Sequence, residues 1–200
     1  MYSMIQNRLR APVTALITPI CRTLLRWGVT PNGVTVLGAA GSVVSALYFF
    51  PRGDFFVGTL VVSVFVLSDL FDGTMARISE KGTTRWGALI DSTLDRITDA
   101  AICAGIMVYA YGEGESYIAL LALFALVSGG LIPYIRAKAE SLGIDCSVGF
   151  AERAERLIIL LVGTGFYGLG LQIAMPLSLM IVGIAGVITI AQRLLVVARS

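Results

Sequence analysis

Four aspartates within apolar stretches carry the strongest chemical signal in this sequence. Asp69 and Asp72 lie three residues apart, and Asp91 and Asp95 four apart. On a helix either spacing puts both carboxylates on one face. An ionised Asp near the middle of a membrane-spanning helix costs roughly 2.5–3.5 kcal/mol, so such a residue needs a partner or a task. Residues 79–86 read as a polar connection that folds the two helices into an antiparallel hairpin, with both pairs at similar depth. Four converging carboxylates repel one another unless compensated. One or two hard divalent cations, Mg²⁺ or Mn²⁺, which take oxygen ligands, are the simplest compensation.

The neighbours of the aspartates narrow the chemistry. Gly73 and Ala76 on the first helix, and Gly87 and Ala88 on the second, leave a slot beside the carboxylates for a large flat ligand. Arg77 offers a fork of donors suited to phosphate. Carboxylates, metal, guanidinium and slot together suggest pyrophosphate chemistry at a membrane surface. The chain has no histidine, which excludes imidazole metal sites and His-based acid–base catalysis. A second constellation is basic: Arg136, Lys138, Arg153, Arg156 and Arg193. Five cations near one mouth can bind a phosphorylated acceptor, whose monoester carries nearly two charges. Flanking Arg and Lys also anchor helix ends, which is the plainer account of Lys138. Asp99 reads as a structural carboxylate paired with Arg96 or Arg136.

The elements that must hold these residues follow from composition. The chain of 200 residues is 56% hydrophobic and 14% charged, against about 25% charged in ordinary globular proteins. Its mean hydropathy is +0.85. Lipid is therefore its solvent, and a single all-α membrane domain over residues 1–200 is expected. Six apolar stretches reach spanning length, at 33–50, 55–78, 87–111, 117–137, 157–170 and 174–197. The fifth is short and can start nearer Arg153. Residues 1–30 interleave Arg8, Arg10, Arg22 and Arg26 with Leu and Ile, which predicts an amphipathic juxtamembrane helix on anionic lipid, broken or kinked at Pro12 and Pro19. Residues 31–200 then form a six-helix bundle. With both termini cytoplasmic, fourteen of the fifteen Lys and Arg fall on or near the cytoplasmic side and only Arg52 outside. The expected location is the cell (inner) membrane, multi-pass, with the site opening to the cytoplasm. Cys21, Cys103 and Cys146 share no paired spacing and read as apolar fillers.

Written out, the acidic segment is Asp69-x-x-Asp72-Gly73-x-x-Ala76-Arg77, nine residues, then Gly87-x-x-x-Asp91-x-x-x-Asp95. This resembles the signature of the CDP-alcohol phosphotransferases, which move a phosphatidyl group from a CDP-lipid to an alcohol and release CMP. The resemblance implies six helices, usually a homodimer, and a metal-dependent site. By position, Asp69, Asp72 and Asp91 would ligate two metal ions. Asp95 would lie near the second metal and act as general base on the acceptor hydroxyl. Gly73, Ala76, Arg77, Thr83 and Gly87 would surround the cytidine and its phosphates, with Pro31, Asn32 and Thr35 near the nucleotide.

Further stretches, among them Asp91-Ser92-Thr93-Leu94-Asp95-Arg96 and 149–157, resemble the phosphatidylinositol-phosphate synthases of actinobacteria. That likeness implies CDP-diacylglycerol as donor and inositol 1-phosphate as acceptor. Arg136, Arg153, Arg156, Arg193 and Lys138 would bind the acceptor phosphate. Glycerol 3-phosphate is the alternative acceptor; relatives using it usually carry Asp-Pro and Lys where this chain has Asp91-Ser92 and Asp95-Arg96. A divalent-cation transporter is the alternative of another class, and the apolar outer halves of the spans argue against it.

Overall fold

The computed structural model describes residues 17–200 apart from 80, 81, 83 and 151, and omits the side chain of Asp69. Thr83 and the N-terminal portion of the expected amphipathic segment, Pro12 included, lie outside the described residues. Those described form helices joined by turns and loops and contain no strand. Helix α1 covers residues 17–26. It is followed by α2 (Pro31–Phe49), a 3₁₀ turn (Phe50–Arg52), α3 (Phe55–Val66), α4 (Ser68–Ile78), α5 (Arg85–Gly112), α6 (Ser116–Ser141), α7 (Arg153–Gly168) and α8 (Ala174–Ala198).

Local chemistry accounts for most of these boundaries. Gly28, at φ 81°, ends α1 with the left-handed conformation that only glycine adopts cheaply. Thr30 then caps α2, its hydroxyl accepting from the Gly33 N–H at 3.1 Å, with Pro31 in the first helical position. Thr84 starts α5 in the same way, accepting from the Gly87 N–H at 3.0 Å. At the head of α7, a Glu155 carboxylate oxygen accepts from the Glu152 N–H at 3.0 Å, half of a capping box.

Among the described residues, four helical stretches are long and apolar enough to cross a membrane: Pro31–Arg52, Phe55–Ile78, Ser116–Ser141 and Ala174–Ala198. This is a membrane protein. The other two expected spans are helices but miss the length or composition of a span. Helix α5 has 28 residues but carries Asp91, Asp95, Arg96 and Asp99. Helix α7 has only 16, about 24 Å at 1.5 Å per residue. The stretch at Phe55–Ile78 is broken at Leu67, whose neighbour Leu70 donates back to the Leu67 carbonyl in a tightened turn. Neither Pro nor Gly marks that break in the sequence.

The fold divides into two compact units. The first holds the described residues up to Ser42 together with Ser63–Thr98. Its core packs Ile17, Cys21 and Met75, flanked by Leu24, Leu25, Val34 and Phe71, while Arg22 and Arg26 on α1 are exposed. The second holds Val43–Val62 and Asp99–Ser200. There α6 and α8 approach closely, since a Cβ on Gly183 would overlap the Phe124 ring and one on Gly186 would lie 2.7 Å from Ser128 Oγ. An aromatic cluster of Phe50, Phe55, Tyr109 and Tyr167 completes this core, with rings 4.7 to 6.4 Å apart. All three cysteines are buried and free.

Candidate active site

The acidic residues belong to the first unit. Helix α2 supplies the surface against which they are set. Its Thr35 is buried and donates through Oγ1 to Oδ2 of Asp72, itself buried on α4. One turn earlier, Asn32 meets the start of α5: a Cβ at Gly87 would lie 2.8 Å from Asn32 Oδ1. Two pairs expected near the nucleotide and metal are thus brought together, Thr35 with Asp72 and Asn32 with Gly87. Gly73 is open, since a Cβ there would meet nothing within 4 Å. Arg77 is exposed, and its Nη2 donates to Thr74 Oγ1 at 3.1 Å. Thr74 is buried and in turn donates to the Leu70 carbonyl at 2.8 Å. The sequence reading passed over Thr74; its position three residues before Arg77, on the same helix face, was the available signal.

Asp91 is exposed on α5, and Asp95, one turn on, is partly buried with Arg96 Nη2 3.5 Å from its Oδ2. No group of three Asp, Glu, Cys or His side chains close enough to hold a metal ion occurs among the described residues. The side chain of Asp69, the expected fourth carboxylate, is not among them. The donors fit a hard divalent cation by chemistry: carboxylates and a hydroxyl, with no sulfur or imidazole.

The basic residues belong to the second unit, and the structure ties most of them down. Arg193 is buried on α8. Its Nε donates to the Val148 carbonyl at 2.9 Å and its Nη1 to the Ile132 carbonyl. Its own carbonyl accepts from the Cys146 thiol, 3.7 Å away. The segment before α7 thereby rests on α8, and a Cβ on Gly149 would clash with Thr189 at 2.8 Å. Arg156 is buried on α7. Arg153 pairs with Asp99 at 3.3 Å. That corrects the expected partner of Asp99, since Arg96 lies beside Asp95 and Arg136 pairs with Glu140 at 2.8 Å. The i,i+4 register of Arg136 and Glu140 on one helix favours that pair. Arg153 opens a different helix, and sequence spacing could not reveal its meeting with Asp99. Lys138 is exposed in the last turn of α6.

The chain matches the CDP-alcohol phosphatidyltransferase family over residues 28–198, and it belongs to that family. Its relatives narrow the class. It is 44% identical to the phosphatidylinositol phosphate synthase of Streptomyces avermitilis, an alignment covering 99% of this chain and 84% of the relative. It is 41% identical to that of Cutibacterium acnes, over 96% of each chain. Among solved structures it is similar to the phosphatidylinositol phosphate synthase of Mycobacterium tuberculosis with CDP-DAG bound. The TM-score is 0.85 and the identity 42%, over 92% of this chain and 94% of that one. The same enzyme in complex with manganese and citrate matches with a TM-score of 0.85.

Proposed function

We propose that this chain transfers a phosphatidyl group from CDP-diacylglycerol to inositol 1-phosphate, giving phosphatidylinositol phosphate and CMP. The observation that carries this reading is its 42% identity, across nearly all of both chains, to an enzyme of that name solved with CDP-DAG bound. In the reaction the acceptor oxygen bonds to the phosphorus bearing diacylglycerol, and the bond from that phosphorus to CMP breaks. Asp95 takes the acceptor's hydroxyl proton as general base. Asp69, Asp72, Asp91 and Asp95 hold Mg²⁺ or Mn²⁺, two ions per site, supported by the all-oxygen donor set and by the manganese complex of the relative. Bound metal would neutralise the pyrophosphate and make CMP a better leaving group. Pro31, Asn32, Thr35, Gly73, Ala76, Arg77, Thr83 and Gly87 bind the CDP-lipid, a role supported by the Asn32–Gly87 contact and by the open space at Gly73. Arg136, Arg153, Arg156, Arg193 and Lys138 bind the acceptor phosphate.

In the same proposal residues 1–200 form one domain, with α5 and α7 as two further spans and an amphipathic N-terminal helix on the membrane surface. The protein is a homodimer in the cell (inner) membrane, with both termini and the site on the cytoplasmic side. The Lys and Arg distribution supports that orientation. One experiment tests the substrate assignment. Purified protein is given labelled CDP-diacylglycerol with inositol 1-phosphate, glycerol 3-phosphate, inositol or serine in parallel. Label should pass to inositol 1-phosphate; transfer to glycerol 3-phosphate instead would refute the acceptor and keep the class.

A further inference from the structure

Within the first unit, α2 touches its neighbours once per turn: Asn32 at Gly87, Thr35 at Asp72, Gly38 at Ser68 and Gly41 at Phe65. Each step of three turns the line of contact by about 60°, so it passes from α5 at Asn32 to α4 at Thr35 and Gly38 and to α3 at Gly41. The tightest of them is at Gly38, where a Cβ would lie 1.7 Å from Ser68 Oγ and 3.1 Å from the Phe65 carbonyl oxygen. Helices α2 and α4 therefore run as close as glycine permits, just before Asp69. That approach brings a side chain as short as threonine within reach of Asp72.

The Thr35 hydroxyl has two acceptors nearby, Asp72 Oδ2 and the Pro31 carbonyl oxygen at 3.1 Å. It has one proton to give. A bond to an ionised carboxylate is shorter and roughly twice as strong as one to a neutral carbonyl. The back-bond within the helix is the weaker competitor. The proton therefore lies toward Asp72. Threonine also suits the position because its β-branch restricts χ1, which holds the donor in place.

From this geometry we infer that Thr35 is a positioning residue: by holding Oδ2 of Asp72 it fixes the direction of the carboxylate that the proposed function assigns to the divalent cation. The inference rests on the proposed reading of Asp72 as a metal ligand. It gives Thr35 a task distinct from contact with the nucleotide. Partners that orient a metal ligand in this way typically contribute 10- to 100-fold in metal affinity.

The test measures Mn²⁺ affinity by electron paramagnetic resonance on purified protein in lipid nanodiscs, without CDP-diacylglycerol. Thr35→Val keeps the volume and removes the donor, and it should weaken Mn²⁺ binding about tenfold. Thr35→Ser restores the donor and should recover most of that loss, an outcome that a packing role for the methyl group would not produce. Wild-type Mn²⁺ affinity in Thr35→Val, with weakened CDP-diacylglycerol binding, would overturn the inference and leave Thr35 to the nucleotide. Asp72→Asn separates the two layers of the argument. If it abolishes Mn²⁺ binding while Thr35→Val has no effect, only the positioning role fails; if Asp72→Asn binds Mn²⁺ normally, the ligand reading fails and the inference with it. Should Thr35→Val not fold, Thr35→Cys, with a weaker donor of similar size, carries the same comparison, and an unchanged affinity there overturns the inference equally.

Discussion

The two units of the fold bring opposite charges to the proposed site. In the first, the buried carboxylate of Asp72 accepts from the Thr35 hydroxyl, Asp91 is exposed, and Arg96 pairs with Asp95 at 3.5 Å. In the second, guanidinium groups are fastened: Arg153 to Asp99, Arg136 to Glu140, and Arg193 to two backbone carbonyls. A hydroxyl donor orients a carboxylate without neutralising it. A guanidinium with two of its five N–H groups on carbonyls keeps its positive charge and is fixed in direction. The first arrangement suits reaction and the second suits recognition. The proposed division of labour is therefore separable in kinetics: changes in the acidic unit should fall on kcat, and changes in the basic unit on the KM of the acceptor.

The largest expected effect is on the acidic side. A chelator should remove all transfer, with Mg²⁺ or Mn²⁺ restoring it; persistence of turnover in metal-free protein would end the metal reading of the aspartates. Next comes Asp95→Asn. A general base typically contributes 10²- to 10⁴-fold, so kcat should fall by about that range while CDP-diacylglycerol still binds. Near-normal turnover would remove Asp95 as the base. On the basic side Arg193→Ala should raise the acceptor KM about tenfold or more, as befits a hydrogen bond to a charged group worth roughly 1.5–3 kcal/mol. The same variant leaves the Val148 and Ile132 carbonyls without this donor, at about 1–3 kcal/mol each where burial excludes water. Thermal stability should therefore fall as well. A loss of stability with the acceptor KM unmoved would make Arg193 a brace and nothing more.

The acidic unit was the more legible of the two, for a physical reason. Its residues lie on two consecutive helices joined by a short connection, so helix periodicity alone relates Asp69 to Asp72 and Asp91 to Asp95. The boundaries expected for α2, α5, α6 and α8 fall within a few residues of those observed. What stayed hidden depends on tertiary approach. The break at Leu67 coincides with the passage of α2 past Ser68, and the sequence around it contains no breaker. The Thr35–Asp72 bond joins residues 37 apart. The partner of Asp99 sits 54 residues away, on a helix that the sequence relates to it by nothing but charge. Of the two remaining expected spans, α5 carries more charge and α7 fewer residues than the four long apolar stretches.

The smallest expected effect is also the sharpest probe of the basic unit. Arg136 and Glu140 form an i,i+4 pair whose side chains are 51% and 49% exposed. Such a pair contributes only about 0.3–0.5 kcal/mol to stability, so Glu140→Gln should leave unfolding almost unchanged. Its effect on binding has a definite sign if Arg136 grips the acceptor phosphate. The carboxylate competes with the phosphate for the same guanidinium, and removing it should lower the acceptor KM about twofold, the same 0.3–0.5 kcal/mol expressed as affinity. Arg136→Ala should move KM the other way with kcat held. If Arg136 only anchors the end of α6, neither substitution will move KM. The basic constellation would then contract to the three arginines on α7 and α8, with the exposed Lys138 left as a helix-end anchor.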